Sequence, residues 1–134
     1  MPKLGFRPSE RLKSRRLIQA LFKQGQSFSK YPIRLVYLPV TDPPLPSPVQ
    51  CTVSVPKRRF RRAVHRNRIR RQVRDAWRIH KQALYQKLEE HETTYAFMLL
   101  YVGKEAMSYT DIERSMKRVI KTFCARHDLN KPTD

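Results

Sequence analysis

The chain has 134 residues, of which 40% are hydrophobic, and it carries a formal net charge of +18. That length suits one domain with one modest core, and no apolar run reaches the roughly eighteen residues that a membrane-spanning helix needs. A charge of this size repels itself in a compact state unless a polyanion neutralises it, so nucleic acid is the favoured partner class over an anionic membrane or an uncharged substrate.

Residues 1–12 read as polar and ragged. Ser14 has the character of an N-cap for a helix through Lys23, with Leu17, Ile18, Leu21 and Phe22 as its apolar stripe and Gly25 as its stop. Ile33–Leu38 reads as a strand with Leu35 and Tyr37 on one face and Arg34, Val36 and Leu38 on the other. Thr41–Pro48 holds four prolines in eight residues and is a loop. Val49–Val55 is a second strand, joined to the first as an antiparallel hairpin, and Pro56 ends it. A long helix is expected from Ala63 to Glu89. Ile69, Val73, Ala76, Trp77, His80 and Leu84 form its core stripe. Asn67, Arg70, Arg71, Arg74, Arg78 and Lys81 form a basic ridge on another side, flanked by Arg66 and Arg68. Thr94–Val102 is nearly continuous in apolar residues, as a central strand covered on both faces would be. Ser108 caps a last helix with Asp111 in its first turn and Ile112, Met116, Val119, Ile120 and Phe123 facing the core. The tail after Asp128 is expected to fray. The order α-β-β-α-β-α without repeats predicts a single α+β domain, an α-β sandwich spanning 1–134 with its ordered core at about 9–127.

The charge is placed unevenly. Residues 1–74 carry nineteen Lys and Arg against two acids, Glu10 and Asp42, whereas residues 75–134 carry ten against nine. Between Lys57 and Arg74 ten of eighteen residues are Lys or Arg, nine of them Arg. Arg is the residue whose planar fork pairs bidentately with phosphate and stacks on bases. A solvated surface normally mixes both signs, and this block does not. Asn67 within it can read a base edge or hold the helix start, and the first-turn N–H groups of the same helix favour an anion.

Nothing comparable points to protein-borne chemistry. His65, His80, His91 and His127 have no metal-ligand spacing, and no CxxC, HxxxH or HExxH occurs. Glu89, Glu90 and Glu92 read as a solvated acidic surface. Three glycines leave no phosphate-cradling loop. No nucleophile has a neighbouring base. Cys51 and Cys124 sit among apolar residues and read as buried reduced thiols. With no apolar signal-peptide core near the start, a soluble cytoplasmic protein without an obligate protein partner is expected.

The run Ala63-Val64-His65-Arg66-Asn67-Arg68-Ile69-Arg70-Arg71-Gln72-Val73-Arg74 resembles the bacterial ribonuclease P protein component. That family carries an RNR triplet, here Arg66-Asn67-Arg68, inside a wider pattern A-x-x-R-N-R-x-K/R-R-x-x-R, preceded by a strand and a Lys57-Arg58 pair. Leu17 to Gly25 is similar to the family's first helix, and Ile33–Leu38 to its first strand; together the likeness covers about residues 9–125. Departures are Ile18 where Phe is frequent, Pro56 in place of a small residue, a longer turn over 56–62, and the proline-rich loop 41–48.

The resemblance implies a left-handed βαβ crossover, against the right-handed default. It also implies a subunit whose partner, a catalytic RNA, cleaves the 5′ leader from precursor tRNA with Mg2+, the protein itself binding no cofactor and supplying no catalytic residue. By residue it assigns Arg66, Asn67, Arg68, Arg70, Arg71 and Arg74 to the catalytic RNA, with Lys57 and Arg58 as supporting phosphate contacts. Phe22 and Tyr37 match positions in the groove for the precursor's leader, whereas periodicity alone reads both as core aromatics. Two rivals remain at this stage: a ribosomal-type structural RNA binder, and a nuclease that cuts with its own carboxylates.

Overall fold

The computed structural model describes residues 5–127. Ser14 caps the first helix as expected, its Oγ accepting the Leu17 N–H at 3.2 Å, and α1 runs over Arg15–Gln24. Gly25 ends it, but not through a left-handed turn, since its φ is −66°. Glycine is required by a close approach instead: a Cβ there would lie 2.4 Å from the Leu21 carbonyl oxygen and 2.9 Å from Val36 Cγ1.

The remaining elements are β1 (Gln26–Lys30), β2 (Ile33–Val40), β3 (Val49–Ser54), α2 (Ala63–Glu89), β4 (Thr94–Tyr101) and α3 (Tyr109–Arg126). The fold is the α+β sandwich predicted, with one sheet of order β1-β2-β4-β3. Two details depart from expectation. β1 was not foreseen, because Gln-Ser-Phe-Ser-Lys offers a single apolar residue; it forms by pairing antiparallel with β2. The hairpin expected between β2 and β3 is absent among the described residues. β4 lies between them, antiparallel to β2 and parallel to β3. The reason is burial. Tyr95–Leu99 are all buried, so both faces of β4 must be covered and it takes an interior place. β3, α2 and β4 thus make the parallel crossover unit.

α2 and α3 cover one face of the sheet. Ile33, Leu35 and Tyr37 of β2, Val49 and Cys51 of β3, and Phe97, Leu99 and Tyr101 of β4 pack against them. α1 covers part of the other face, where Leu12 and Leu21 meet Ala96 and Met98, with Leu17, Ile18, Val36 and Leu38 alongside.

The N-terminal segment corrects a further expectation. Residues 5–13 are not ragged but lie along the edge of β3. The Leu12 N–H donates to the Cys51 carbonyl at 3.0 Å, and Arg11 bridges Cys51 in the parallel sense. A 3-10 turn at Pro8–Glu10 precedes this contact, and both Glu10 and Leu12 are buried. An edge strand leaves a row of unpaired backbone groups, and this strap takes some of them up. The tail expected to fray after Asp128 falls outside the described residues.

Candidate nucleic-acid interface

The start of α2 is built against the usual rules of helix stability. Its N-cap is Arg62, no side chain caps it, and its first turn holds no acid. Cations at this end oppose the helix dipole, and the first-turn N–H groups lack a side-chain acceptor. An anion from outside would remedy both defects at once.

The cationic side chains divide into two groups. Arg66 turns back onto the preceding loop, donating to the carbonyls of Phe60 at 2.7 Å and Arg61 at 2.8 Å. Its role is to fix the turn that carries Lys57, Arg58 and Arg59, all of them exposed. Arg70 is half-buried and donates to Asn67 Oδ1 at 2.8 Å, so that Asn67 orients a neighbouring guanidinium. Arg68, Arg71 and Arg74 are exposed and one turn apart, and among the described residues no acid pairs with them. They form the accessible ridge. Arg78 instead meets Asp75 at 3.5 Å.

Lys81 does not belong to the ridge, contrary to the helical-wheel expectation. Its ammonium is buried and bonds the Glu10 carboxylate and the Gly5 carbonyl. Tyr85 donates to the same carboxylate at 2.7 Å. Burial by itself would raise the Glu10 carboxyl, but bonds from Lys81, the Arg7 N–H and Tyr85 outweigh it and hold it below the ordinary carboxylate range. This cluster bolts the N-terminal strap to α2.

The strap adds cations that sequence reasoning missed. Arg11, Lys13 and Arg74 line one cleft of about 200 Å³ with Phe6, Leu12 and Thr52. The Arg11 guanidinium lies 5.3 Å from the Phe6 ring centroid and donates to its carbonyl at 3.2 Å. Arg11 and Lys13 gave no periodic signal, and only pairing with β3 carries them to Arg74.

The two aromatic candidates separate. Phe22 is 71% exposed at the end of α1, whereas Tyr37 is 3% exposed. Tyr37 sits under α3 with edge contacts to Phe28, Tyr95 and Phe123, and its hydroxyl donates to Gln26 Oε1 at 3.1 Å. An exposed groove wall at Tyr37 is therefore corrected to a core position. The physical reason is the period of two along a strand: the α1 side of β2 is lined by the even positions, Arg34, Val36 and Leu38. Cross-strand pairing carries that face on to Thr52 and Ser54, which lie opposite Met98 and Leu100.

Among the described residues no three His, Cys, Asp or Glu side chains converge on a possible metal position. Cys51 is buried and burial drives its thiol up, away from a nucleophilic thiolate. No helix among the described residues is long and apolar enough to cross a membrane.

A basic ridge on a helix joining two parallel strands narrows the comparison with known proteins. The sequence profile of the family Ribonuclease P matches residues 6–124. The chain belongs to the ribonuclease P protein family. The ribonuclease P protein component of Porphyromonas gingivalis is 37% identical over 117 residues, covering 87% of this chain and 85% of that one. That of Chlorobium phaeobacteroides is 32% identical over 123 residues, covering 85% and 84%. Among solved structures, the Staphylococcus aureus RNase P protein aligns with a TM-score of 0.65 at 21% identity, covering 85% of this chain and 94% of its own. The Thermotoga maritima RNase P protein aligns at 0.63 and 19%, covering 84% and 96%. These two likenesses concern the fold. As a ribonuclease P protein the chain is a subunit of that endoribonuclease.

Proposed function

We propose that this subunit binds the catalytic RNA of ribonuclease P through α2 and holds the 5′ leader of precursor tRNA, so promoting endonucleolytic removal of the leader during tRNA 5′-end maturation. The observation that carries the proposal is the ridge of Arg68, Arg71 and Arg74, exposed and without acid partners on a rigid helix. Bidentate guanidinium–phosphate pairing is the contact such a ridge makes best. Lys57 and Arg58 add phosphate contacts from the turn that Arg66 fixes. Arg66, Asn67 and Arg70 contribute by shaping this surface.

The leader is assigned to the side of the sheet that α1 only partly covers. Its floor is Val36, Thr52, Ser54 and Leu100, half-buried rather than sealed. Exposed Phe22 offers a ring on which an unpaired base can stack, and Arg34 stands on the same face as Val36. Bond cleavage belongs to the RNA, with the Mg2+ that the holoenzyme requires held there; a surface this cationic repels a divalent cation. Two free buried thiols suit the reducing cytoplasm.

The test is reconstitution. Purified protein is added to bacterial ribonuclease P RNA, and precursor tRNA cleavage is scored at low magnesium. Stimulated cleavage at the mature 5′ end is expected. Tight RNA binding without stimulation would reassign the chain to structural RNA binding, and hydrolysis by protein and metal alone would reassign it to the nucleases.

A further inference from the structure

The charge average of residues 75–134 is close to neutral, but the fold does not distribute it evenly. Of the nine acids in this half, Glu89, Glu90 and Glu92 cluster at the end of α2, Glu105 follows β4, and Asp111 and Glu113 stand in the first turns of α3. From Arg114 to His127 there are five Lys and Arg and no acid. Arg114 is taken by Asp111 at 3.2 Å, and Arg126 lies over the Phe28 ring at 4.6 Å. Lys117, Arg118 and Lys121 remain on the outer face of α3, all exposed. Glu113, the acid nearest Lys117 along the helix, bonds His80 of α2 at 2.8 Å.

These lysines border a groove. α2 and α3 run side by side in the same direction, His80 beside Glu113 and Lys87 beside Cys124. Between them lies a cleft of about 230 Å³ whose floor is mainly apolar, with Ala83, Ile120 and Cys124, and whose polar groups are His80, Lys87, Lys117 and Lys121, with no acid among its lining residues. Helix pairing accounts for only part of this arrangement: Lys117 lies four residues after Glu113 and interacts with it, but Arg118 and Lys121 have no acid three or four residues away. Lys117 and Lys121 are four apart, as are Arg114 and Arg118, and like charges at that spacing repel. The dipole favours cations only in the last turn, and Lys117 and Arg118 stand mid-helix.

We propose that the outer face of α3, with its groove against α2, is a second binding surface for RNA phosphates, engaging RNA that the arginine ridge does not hold. The two faces lie on different elements: the ridge is on α2 over Arg68, Arg71 and Arg74, with Arg78 beyond it paired to Asp75, whereas Lys117, Arg118 and Lys121 are on α3. The chemistry also differs. The ridge is arginine, suited to bidentate recognition, whereas the cations at the groove are lysines, which hold a phosphate as a point charge on a flexible stem. The face is thus a sequence-tolerant tether for a backbone. The inference rests on the reading of the chain as an RNA-bound subunit, and the test separates the two.

The experiment compares Lys117→Gln/Lys121→Gln with Arg68→Ala/Arg71→Ala in the full-length protein. Far-ultraviolet circular dichroism and melting verify that each is folded. Affinity is measured against salt in two arms: protein with ribonuclease P RNA, and reconstituted holoenzyme with precursor tRNA. Losing two lysine–phosphate contacts lowers the slope of log affinity against log salt by roughly 1.4 to 1.8, at about 0.7 per contact on a single strand and about 0.9 on a duplex. The arm in which the lysine variant shows that drop identifies which RNA occupies the groove. Unchanged slopes in both arms, with a drop for the arginine variant, would overturn the proposal and leave the ridge intact. No drop for the arginine variant would remove the ridge reading itself. Lost affinity for polyglutamate but for neither RNA would assign the face to an acidic protein and also end the proposal.

Discussion

Lys81 and Glu10 form an ion pair with side chains 2% and 8% exposed, joining the middle of α2 to a turn seventy-one residues earlier in the chain. The pair converts what looks like one more ridge cation into the anchor of the N-terminal strap. Removing one partner of such a pair leaves an uncompensated buried charge, which destabilises by about 3–5 kcal/mol. Lys81→Met is expected to lose stability on that scale in denaturant unfolding. The double variant Glu10→Gln/Lys81→Met should recover most of it, because no buried charge is then left alone. Equal losses in single and double variants would show that packing, and not charge, holds the strap.

The same pair sets an acid limit. The Glu10 carboxyl lies below its ordinary value in the folded protein, so between that depressed value and the ordinary one the unfolded chain binds more protons. Its contribution is complete above the ordinary glutamate value of about 4.3 and is lost as pH falls through the folded one. The melting temperature of the native sequence should therefore fall more steeply below about pH 4 than that of Glu10→Gln. Parallel curves would remove Glu10 from the acid transition.

On the ridge, Arg68→Ala and Arg71→Ala should each weaken binding to the catalytic RNA by roughly 1–2 kcal/mol, the scale of a charge-assisted hydrogen bond, with unchanged circular dichroism. Arg66→Ala is different in kind. It removes the two bonds to the Phe60 and Arg61 carbonyls. Proteolysis within 57–62 should accelerate in that variant and not in the other two.

Tyr37 and Phe22, which the sequence reading treats alike, are predicted to behave differently because one is buried and the other exposed. Tyr37→Ala opens a cavity under α3 and should cost about 3–5 kcal/mol of stability, as large aromatic truncations in cores do. Phe22→Ala touches an exposed ring and should change stability by no more than about 0.5 kcal/mol. It should weaken holoenzyme binding of leader-bearing precursor tRNA by roughly 1–3 kcal/mol and leave mature tRNA unaffected. Equal effects on both tRNAs would take Phe22 out of the leader path.

Much of the architecture is legible along the chain because it depends on local rules. Ser14 and Ser108 cap helices through their own hydroxyls, and the apolar run of β4 announces a strand buried on both faces. α2 spans Ala63 to Glu89 as expected, although His80 of its expected core stripe is half-buried against Glu113, while Lys81, Tyr85 and Leu88 are buried. The family, too, is written in the arginine pattern of 63–74. β1 escaped because five mostly polar residues become a strand only when β2 offers an edge.

The chain alone thus announces all three α-helices and three of the four strands, the fold class and the concentration of positive charge at the start of α2. Tertiary structure decided which of those charges are available. Arg66 and Lys81 lie on the same helix as Arg68 and Arg71, yet one is consumed by a turn and the other by a buried carboxylate. Tyr37 faces the helices and Val36 the open side because pairing register, not composition, sets a strand's face. Arg11, Lys13 and the α3 lysines gather into surfaces only after distant segments pack. Periodicity reports which side of an element is apolar; the partners that claim its polar groups come from elsewhere in the chain, and only folding brings them together.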